Sequence, residues 1–382
     1  MNLSTSTCLF PSHRQGGRTP MLESIDLCYA AGFRVIDLNF CGAGLRQSGH
    51  ELCRDDWEAW VDEVGNHAAK LGVTFTQSHT PFDSNLYRTD ISPLTDEYRE
   101  WYRESVRRTI IASARLGVKW VTNHAQTATE RAELNFEENL RANLDFFGWQ
   151  VELAAKYGTG IAVENMAEFN PVKTKRRFTA VVEEQIAIID GINDPACGGC
   201  WDFGHAELVY RDQTVPLRKL GHRLKATHVQ ENDKLHDDHY IPFVRGTTPW
   251  EKIMPLLKEI GYTGDFTYEC HGFMNGVPDA MRPTAAKFAY EVGMYCSSCL
   301  RMHNAKSKKR RANGASLLLL HYHLLYSLST QPYSPLVTTF PQYSHTPLAL
   351  SSSAAPQLGQ ACAVSLPDVE VFVPLERINA NR

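Results

Sequence analysis

Between residues 1 and 300 the sequence switches eight times from a short run rich in β-branched and aromatic residues to a longer stretch with apolar positions three and four apart. The strand-like runs are Leu3–Leu9, Arg34–Leu38, Val73–Gln77, Lys119–Thr122, Gly160–Val163, Gly199–Trp201, Leu224–Thr227 and Asp265–Tyr268. The helical stretches are Met21–Ala31, Asp56–Leu71, Asp96–Leu116, Phe136–Tyr157, Ala180–Ile192, Val215–Leu220, Pro249–Ile260 and Asp279–Tyr295. Gly32, Gly72, Gly117, Gly158 and Gly261 each sit just past a periodic stretch, where a left-handed residue closes a helix without a Cβ clash. Thr248 before Pro249 predicts an N-cap with proline at the first helical position. This alternation fits a closed (β/α)8 TIM barrel better than an open doubly wound sheet. The open sheet would carry a Gly-rich phosphate turn after its first strand. The turn here, Pro11-Ser12-His13-Arg14-Gln15-Gly16-Gly17, is no dinucleotide fingerprint.

Composition changes near residue 300. Residues 301–382 bring a basic run, Lys306 to Arg311, a leucine patch, and then a stretch rich in Ser, Pro, Thr and Ala. Such a segment buries too little apolar surface to offset its chain entropy, so the expected organisation is a catalytic barrel over 1–300 and a low-complexity, poorly ordered tail over 301–382. The tail holds 8 basic residues against 3 acidic ones, which leaves 31 against 40 in the first 300. An acidic body argues against nucleic-acid binding, which needs clustered Lys and Arg to neutralise phosphates. The longest apolar run, Ala315 to Tyr326, is broken by His321 and His323 and falls short of a membrane span. The start of the chain lacks the features of a secretory signal, and ten cysteines are scattered without a small-domain disulfide framework. Both point to a reducing cytoplasm.

In a barrel of this kind the active site lies at the carboxyl ends of the strands. From the third strand to the eighth those ends read Gln77-Ser78-His79, Asn123-His124, Glu164-Asn165, Asp202-Phe203-Gly204-His205, His228 through Asp233, and Glu269-Cys270-His271. Buried charges are costly unless paired or bound to a metal, so a mouth lined with them calls for a cation. Glu164, Asp202, His228 and Glu269, one from each of the last four strands, form the expected metal site. Three carboxylates and one imidazole make a hard, oxygen-rich set that favours Mn2+, Mg2+ or Co2+, with Zn2+ as a further candidate.

Ala31-Gly32-Phe33-Arg34-Val35-Ile36-Asp37-Leu38, Val163-Glu164-Asn165, Asp202-Phe203-Gly204-His205, and His228 to Asp233 with Asp237-Asp238-His239 together resemble the sugar phosphate isomerase/epimerase superfamily. These are the xylose-isomerase-like barrels, which include ketose 3-epimerases, the inosose dehydratase and isomerase pair, and the endonuclease IV branch. The resemblance covers about residues 1–295. It implies that Glu164, Asp202, His228 and Glu269 ligate a metal and that Glu164 and Glu269 are also the acid/base pair. His79, His124, His205, Asp237 and His239 match the further ligands of the three-metal endonuclease cluster. In a one-metal enzyme the same residues would orient ligands or bind substrate hydroxyls. Similar sequences often carry Gly-x-Gly before the Trp of the seventh helix, whereas this chain has Val244-Arg245-Gly246, which makes Arg245 a candidate substrate contact.

The resemblance implies a metal-dependent isomerase or epimerase that takes a proton from a ketose or polyol-type substrate through an enediolate. The alternatives are an inosose-type dehydratase and a metal-dependent AP endonuclease. The expected partner is a small sugar or polyol, with no membrane and no nucleic acid, and self-assembly into a homo-oligomer stands as an option.

Overall fold

A computed structural model of the chain describes residues 1–13, 16–82, 95–127, 135–167 and 176–299; the expected tail, 301–382, lies outside the described residues. Eight parallel strands stand in the order β7-β6-β5-β4-β3-β2-β1-β8. They are β1 (Leu3–Ser6), β2 (Val35–Asn39), β3 (Thr74–His79), β4 (Trp120–His124), β5 (Gly160–Glu164), β6 (Cys197–Asp202), β7 (Leu224–His228) and β8 (Phe266–Tyr268). β1 pairs with β2 on one side and β8 on the other. The remaining seam is held just past β7, where Val229 N–H donates to Thr267 O at 2.7 Å and Val229 O accepts from Glu269 N at 3.1 Å. The expected TIM barrel is therefore the fold found.

The helices are α1 (Met21–Ala31), α2 (Trp57–Leu71), α3 (Asp96–Arg115), α4 (Phe136–Tyr157), α5 (Val182–Ile192), α6 (Phe203–Val209), α7 (Thr214–Leu220), α8 (Trp250–Glu259) and α9 (282–299). Their burial follows the helical period. In α2, Trp57, Trp60, Val61, Val64 and Ala68 are buried, one apolar stripe against the strands. The chain stops that helix at Gly72, whose φ of 69° is open to a residue without a Cβ. Thr95 and Asn135 accept backbone N–H groups at the starts of α3 and α4.

Strand side chains alternate between the helix layer and the barrel interior. In β2, Ile36 and Leu38 are fully buried members of the main apolar core, while Asp37 between them is also buried, with His228 favouring its charge and Glu269 opposing it. Deeper in the barrel, Ala162, Cys200 and Ala226 pack with Trp120, and the Trp120 ring is so close to Gly160 that a Cβ there would lie 2.4 Å from it. This apolar plug leaves the polar residues concentrated at the other end.

Two local expectations differ. α6 begins directly at the end of β6, where Asp202 Oδ1 accepts the His205 N–H at 2.6 Å; a seven-residue helix with Gly204 near its start carries too little periodicity to be read in advance. Thr248 does not cap α8: Pro249 takes that place without a side-chain hydrogen bond.

Candidate metal centre

β3 ends at His79, β4 at His124, β5 at Glu164, β6 at Asp202 and β7 at His228, while Glu269 directly follows β8. The parallel register thus delivers six donors to one end of the barrel. They sort into two groups that share Glu164: Glu164, Asp202, His228 and Glu269, and then His79, His124 and Glu164. A separate group, His205, Asp237 and His239, comes from the segments that follow β6 and β7. Within each group the donor atoms lie within 4.8 Å of one another.

In the first group Glu164, Asp202 and His228 are wholly buried, and Glu269 is 7% exposed. His228 Nδ1 stands 3.0 Å from Glu164 Oε1 and 3.2 Å from Glu269 Oε2. Asp202 Oδ1 accepts from His205 N–H and from Gln230 Nε2, at 2.6 and 3.1 Å, while its Oδ2 is buried and makes no hydrogen bond among the described residues. A buried carboxylate oxygen left this way is costly, and a cation would satisfy it.

The flanking histidines share one arrangement. His79 Nδ1 donates to Thr80 O at 2.8 Å, His205 Nδ1 to Asn165 O at 2.9 Å and His239 Nδ1 to Glu269 O at 2.8 Å. Each ring thereby turns Nε2 toward a carboxylate: His79 to Glu164 Oε2 at 3.4 Å, and His205 and His239 each to Asp237 at 3.2 Å. Fixing one ring nitrogen on a carbonyl and presenting the other is how imidazoles are prepared for metal ligation. His124 Nε2 completes its group at 3.1 Å from Glu164 Oε2 and 3.2 Å from His79 Nε2. The donor set therefore fits divalent cations.

Electrostatics keeps the cluster charged. Burial opposes ionisation of Glu164, but His228 and His124 outweigh it and hold the carboxyl well below its usual range. Glu269 is lowered in the same way, burial again being overcome by His228. Asp202 goes the other way, lifted to about 6 by burial first. Burial also works against a charge on His239, yet the neighbouring Asp237 raises that imidazole to about 9. His205, His79 and His228 are raised too, whereas His124 is pulled down to about 4, chiefly by burial.

Sequence reasoning did not single out four neighbours of this cluster. Gln230 donates from Nε2 to both Asp202 Oδ1, at 3.1 Å, and Asp237 Oδ1, at 3.0 Å, tying two groups together. It can do so because residue 204 is glycine; a Cβ there would lie 2.0 Å from the Gln230 amide. Asp37 lies buried beneath the group, its pKa raised by burial. Arg177 and His271 line a cavity of about 420 Å³ together with His79, His124, His205, Asp237, His239 and Glu269.

Other candidates fall at the edge. Arg245 is half exposed, 5.2 Å above the Tyr240 ring with Nε 3.6 Å from Asp238, and is not among the residues lining that cavity. The glycine that this loop keeps, Gly246, is the one it needs: a Cβ there would sit 2.7 Å from Glu231, whose carboxylate accepts from Phe243 N, Gly246 N and Trp250 Nε1. Lys234 pairs with Glu207 at 2.8 Å. Among the described residues the nine cysteines are free thiols, and none belongs to a metal-ligand group. No helix among the described residues is long and apolar enough to cross a membrane.

Comparison with known proteins places the fold that carries this site. An uncharacterised protein of Sinorhizobium fredii, y4fM, is 25% identical over 297 residues, covering 70% of this chain and 88% of that protein. The crystal structure of a D-tagatose 3-epimerase-like protein matches 78% of this chain and 98% of its own length, with a TM-score of 0.59 at 18% identity. The IOLI protein, solved with a bound zinc atom, matches 78% of this chain and 98% of its own, with a TM-score of 0.58 at 15% identity. A family model described as xylose isomerase-like TIM barrel matches residues 25–289. With most of the barrel covered by that match, the chain belongs to the xylose isomerase-like TIM barrel family.

Proposed function

We propose that the protein is a metal-dependent sugar isomerase or epimerase acting on a ketose or a related polyol-type substrate. The observation that carries this reading is the pair Glu164 and Glu269, from β5 and β8, both against His228 Nδ1 at 3.0 and 3.2 Å and both held ionised, with Glu269 bordering the 420 Å³ cavity. Glu164, Asp202, His228 and Glu269 would hold a divalent cation, Mn2+, Mg2+, Co2+ or Zn2+, which when bound supplies Lewis-acid polarisation of a substrate carbonyl. Epimerase structures of this fold with ketose names, such as the one solved in the presence of D-fructose, support the substrate class.

The chemistry of the residues follows from their placement. Glu269 borders the cavity, so its carboxylate takes the proton from the carbon beside the carbonyl. Glu164, on a different strand, starts ionised. It first takes a proton from solvent through His124, whose Nε2 stands 3.1 Å from its Oε2 at the cavity wall, and then gives it to the opposite face of the carbon, while the proton on Glu269 is released to solvent. General acid–base catalysis of this kind contributes about 10²–10⁴-fold. His205 and His239, both at the cavity wall, hold substrate hydroxyls or orient Asp237. A cavity of this size suits a small ligand rather than a duplex.

Turnover in deuterium oxide tests the pair. Deuterium is expected at the epimerised carbon of the product, read by NMR. Turnover of many equivalents without any incorporation, in both reaction directions, would contradict proton exchange through these carboxylates.

A second reading is favoured by one observation: three donor groups, not one, converge on the cavity. Three ions held there would suit phosphodiester hydrolysis, in which the same His79, His124, His205, Asp237 and His239 act as ligands. Counting metal against activity separates the two. One ion per chain with full sugar turnover supports the isomerase; three ions with phosphodiester cleavage support the hydrolase.

A further inference from the structure

A second cavity, of about 230 Å³, adjoins the metal-lined one at the ends of β1 and β2, and the two share Cys8, Pro11, Asn39 and Cys41. Its wall includes His50, which is 2% exposed and held between Phe40 and Trp60, with ring centroids at 6.1 and 6.0 Å. His50 Nδ1 accepts the Leu52 N–H at 3.0 Å, so the proton of the neutral ring sits on Nε2. Burial, with the Arg18 charge adding to it, holds the ring at about 4, and it is neutral at working pH. Nε2 is buried and has no hydrogen-bond partner among the described residues. An N–H donor placed this way lacks an acceptor, and buried donors rarely go without one.

The charge balance of the cavity says what kind of acceptor fits. Arg18, also in the wall, puts Nη2 on Glu51 Oε2 at 2.5 Å and Nη1 on Thr19 O at 3.3 Å. Its charge is matched, and an anion would have to compete with Glu51 for it. The other walls offer the hydroxyls of Thr7 and Ser24 beside the apolar surfaces of Phe10 and Met21. Neutral donors next to apolar surface are what the hydroxyls and C–H faces of a sugar require.

We propose that this side cavity is a second sugar subsite, in which His50 Nε2–H and the neighbouring hydroxyls hold a neutral glycosyl or polyol extension of the substrate. The substrate is then a ketose carrying a further hydroxyl-rich unit, not a free or phosphorylated monosaccharide. The inference rests on the sugar reading of the metal centre and names its substrate class.

Titration calorimetry on the full chain loaded with Mn2+ tests it, with D-fructose, a glucosyl-fructose disaccharide and a fructose phosphate as probes. The disaccharide is expected to bind about fivefold or more tightly than fructose, the gain of one or two buried hydrogen bonds, and the phosphate no more tightly than fructose. His50→Phe removes the donor and keeps a ring. Gly42→Ala narrows the space independently, since its Cβ would lie 3.2 Å from His50 Cδ2 and 3.5 Å from Arg18 Cδ. Each is expected to bring the disaccharide-to-fructose ratio close to one. Equal binding of the two sugars by the wild type, tighter binding of the phosphate, or an unchanged ratio in both variants overturns the subsite while leaving the metal-centre reading intact. Binding of no sugar by the metal-loaded protein overturns both.

Discussion

Glu164→Gln is expected to lower kcat/KM by about 10³-fold or more on any ketose the wild type turns over, and to strip bound metal from two donor groups at once. The size of the effect comes from the position of this one side chain. Its Oε1 meets His228 Nδ1 at 3.0 Å, and its Oε2 meets His124 Nε2 at 3.1 Å and His79 Nε2 at 3.4 Å, and Glu164 itself has no solvent exposure. The amide keeps the shape but loses the charge that holds those imidazoles and offers an N–H where an acceptor is required. The burial that makes the charge expensive also makes its loss costly for whatever it was paired with. Metal content by atomic absorption and kcat/KM are read together, with circular dichroism confirming the fold. A folded variant that retains both metal and activity would show that Glu164 is a bystander.

The second large effect is in pH. The metal-free protein is expected to lose stability as pH rises from 6.5 through about 9, because His239 has a folded value of about 9 against an ordinary 6.5. A raised imidazole stabilises fully below its unfolded value, and that contribution fades as the folded group itself deprotonates. For His239 alone the ceiling is about 3 kcal/mol. His205, His228 and His79 are raised as well and act in the same direction. The lowered imidazoles, His124, His271 and His50, near 4, act in the opposite direction but mostly between pH 4 and 6.5, while Asp202, raised to about 6, acts in the same direction as His239 but below the window. Cations and protons compete for the same nitrogens, so metal loading at pH 7 releases protons and tightens as pH rises. Thermal unfolding from pH 6 to 9, with chelator and with Mn2+ or Zn2+, reads both consequences. The chelated protein should lose Tm across that window and the loaded one should not. A flat or rising Tm with chelator present contradicts the protonated-cluster picture.

The barrel was legible because its signal is repetitive. Each strand is short and each helix is stopped by punctuation such as Gly72 or Gly158, so errors at one boundary do not spread. The candidate metal ligands were legible for a related reason. A polar residue ending an apolar strand in a parallel barrel can only face the mouth, and His79, His124, Glu164, Asp202 and His228 do end their strands. What escaped depends on contacts remote in sequence. Arg177 closes a basic stretch, 173–177, of a kind usually solvated, yet it is 4% exposed at the cavity wall. Asp37 interrupts an apolar run without ending it. His50 lies 29 residues before His79, and nothing local to it announces a buried imidazole beside the mouth. Gln230 stands two residues past His228, and its role exists only because Gly204, on α6, leaves room for it. Such residues are assigned by the packing of several loops, which no periodicity encodes.

The most direct measurement is anomalous diffraction from a crystal of the full chain grown with Mn2+. An anomalous peak is expected among Glu164 Oε, Asp202 Oδ2, His228 Nδ1 and Glu269 Oε2, at ligand distances of about 2.0–2.3 Å. A well-diffracting crystal at saturating Mn2+ with no peak between those four side chains would contradict the account.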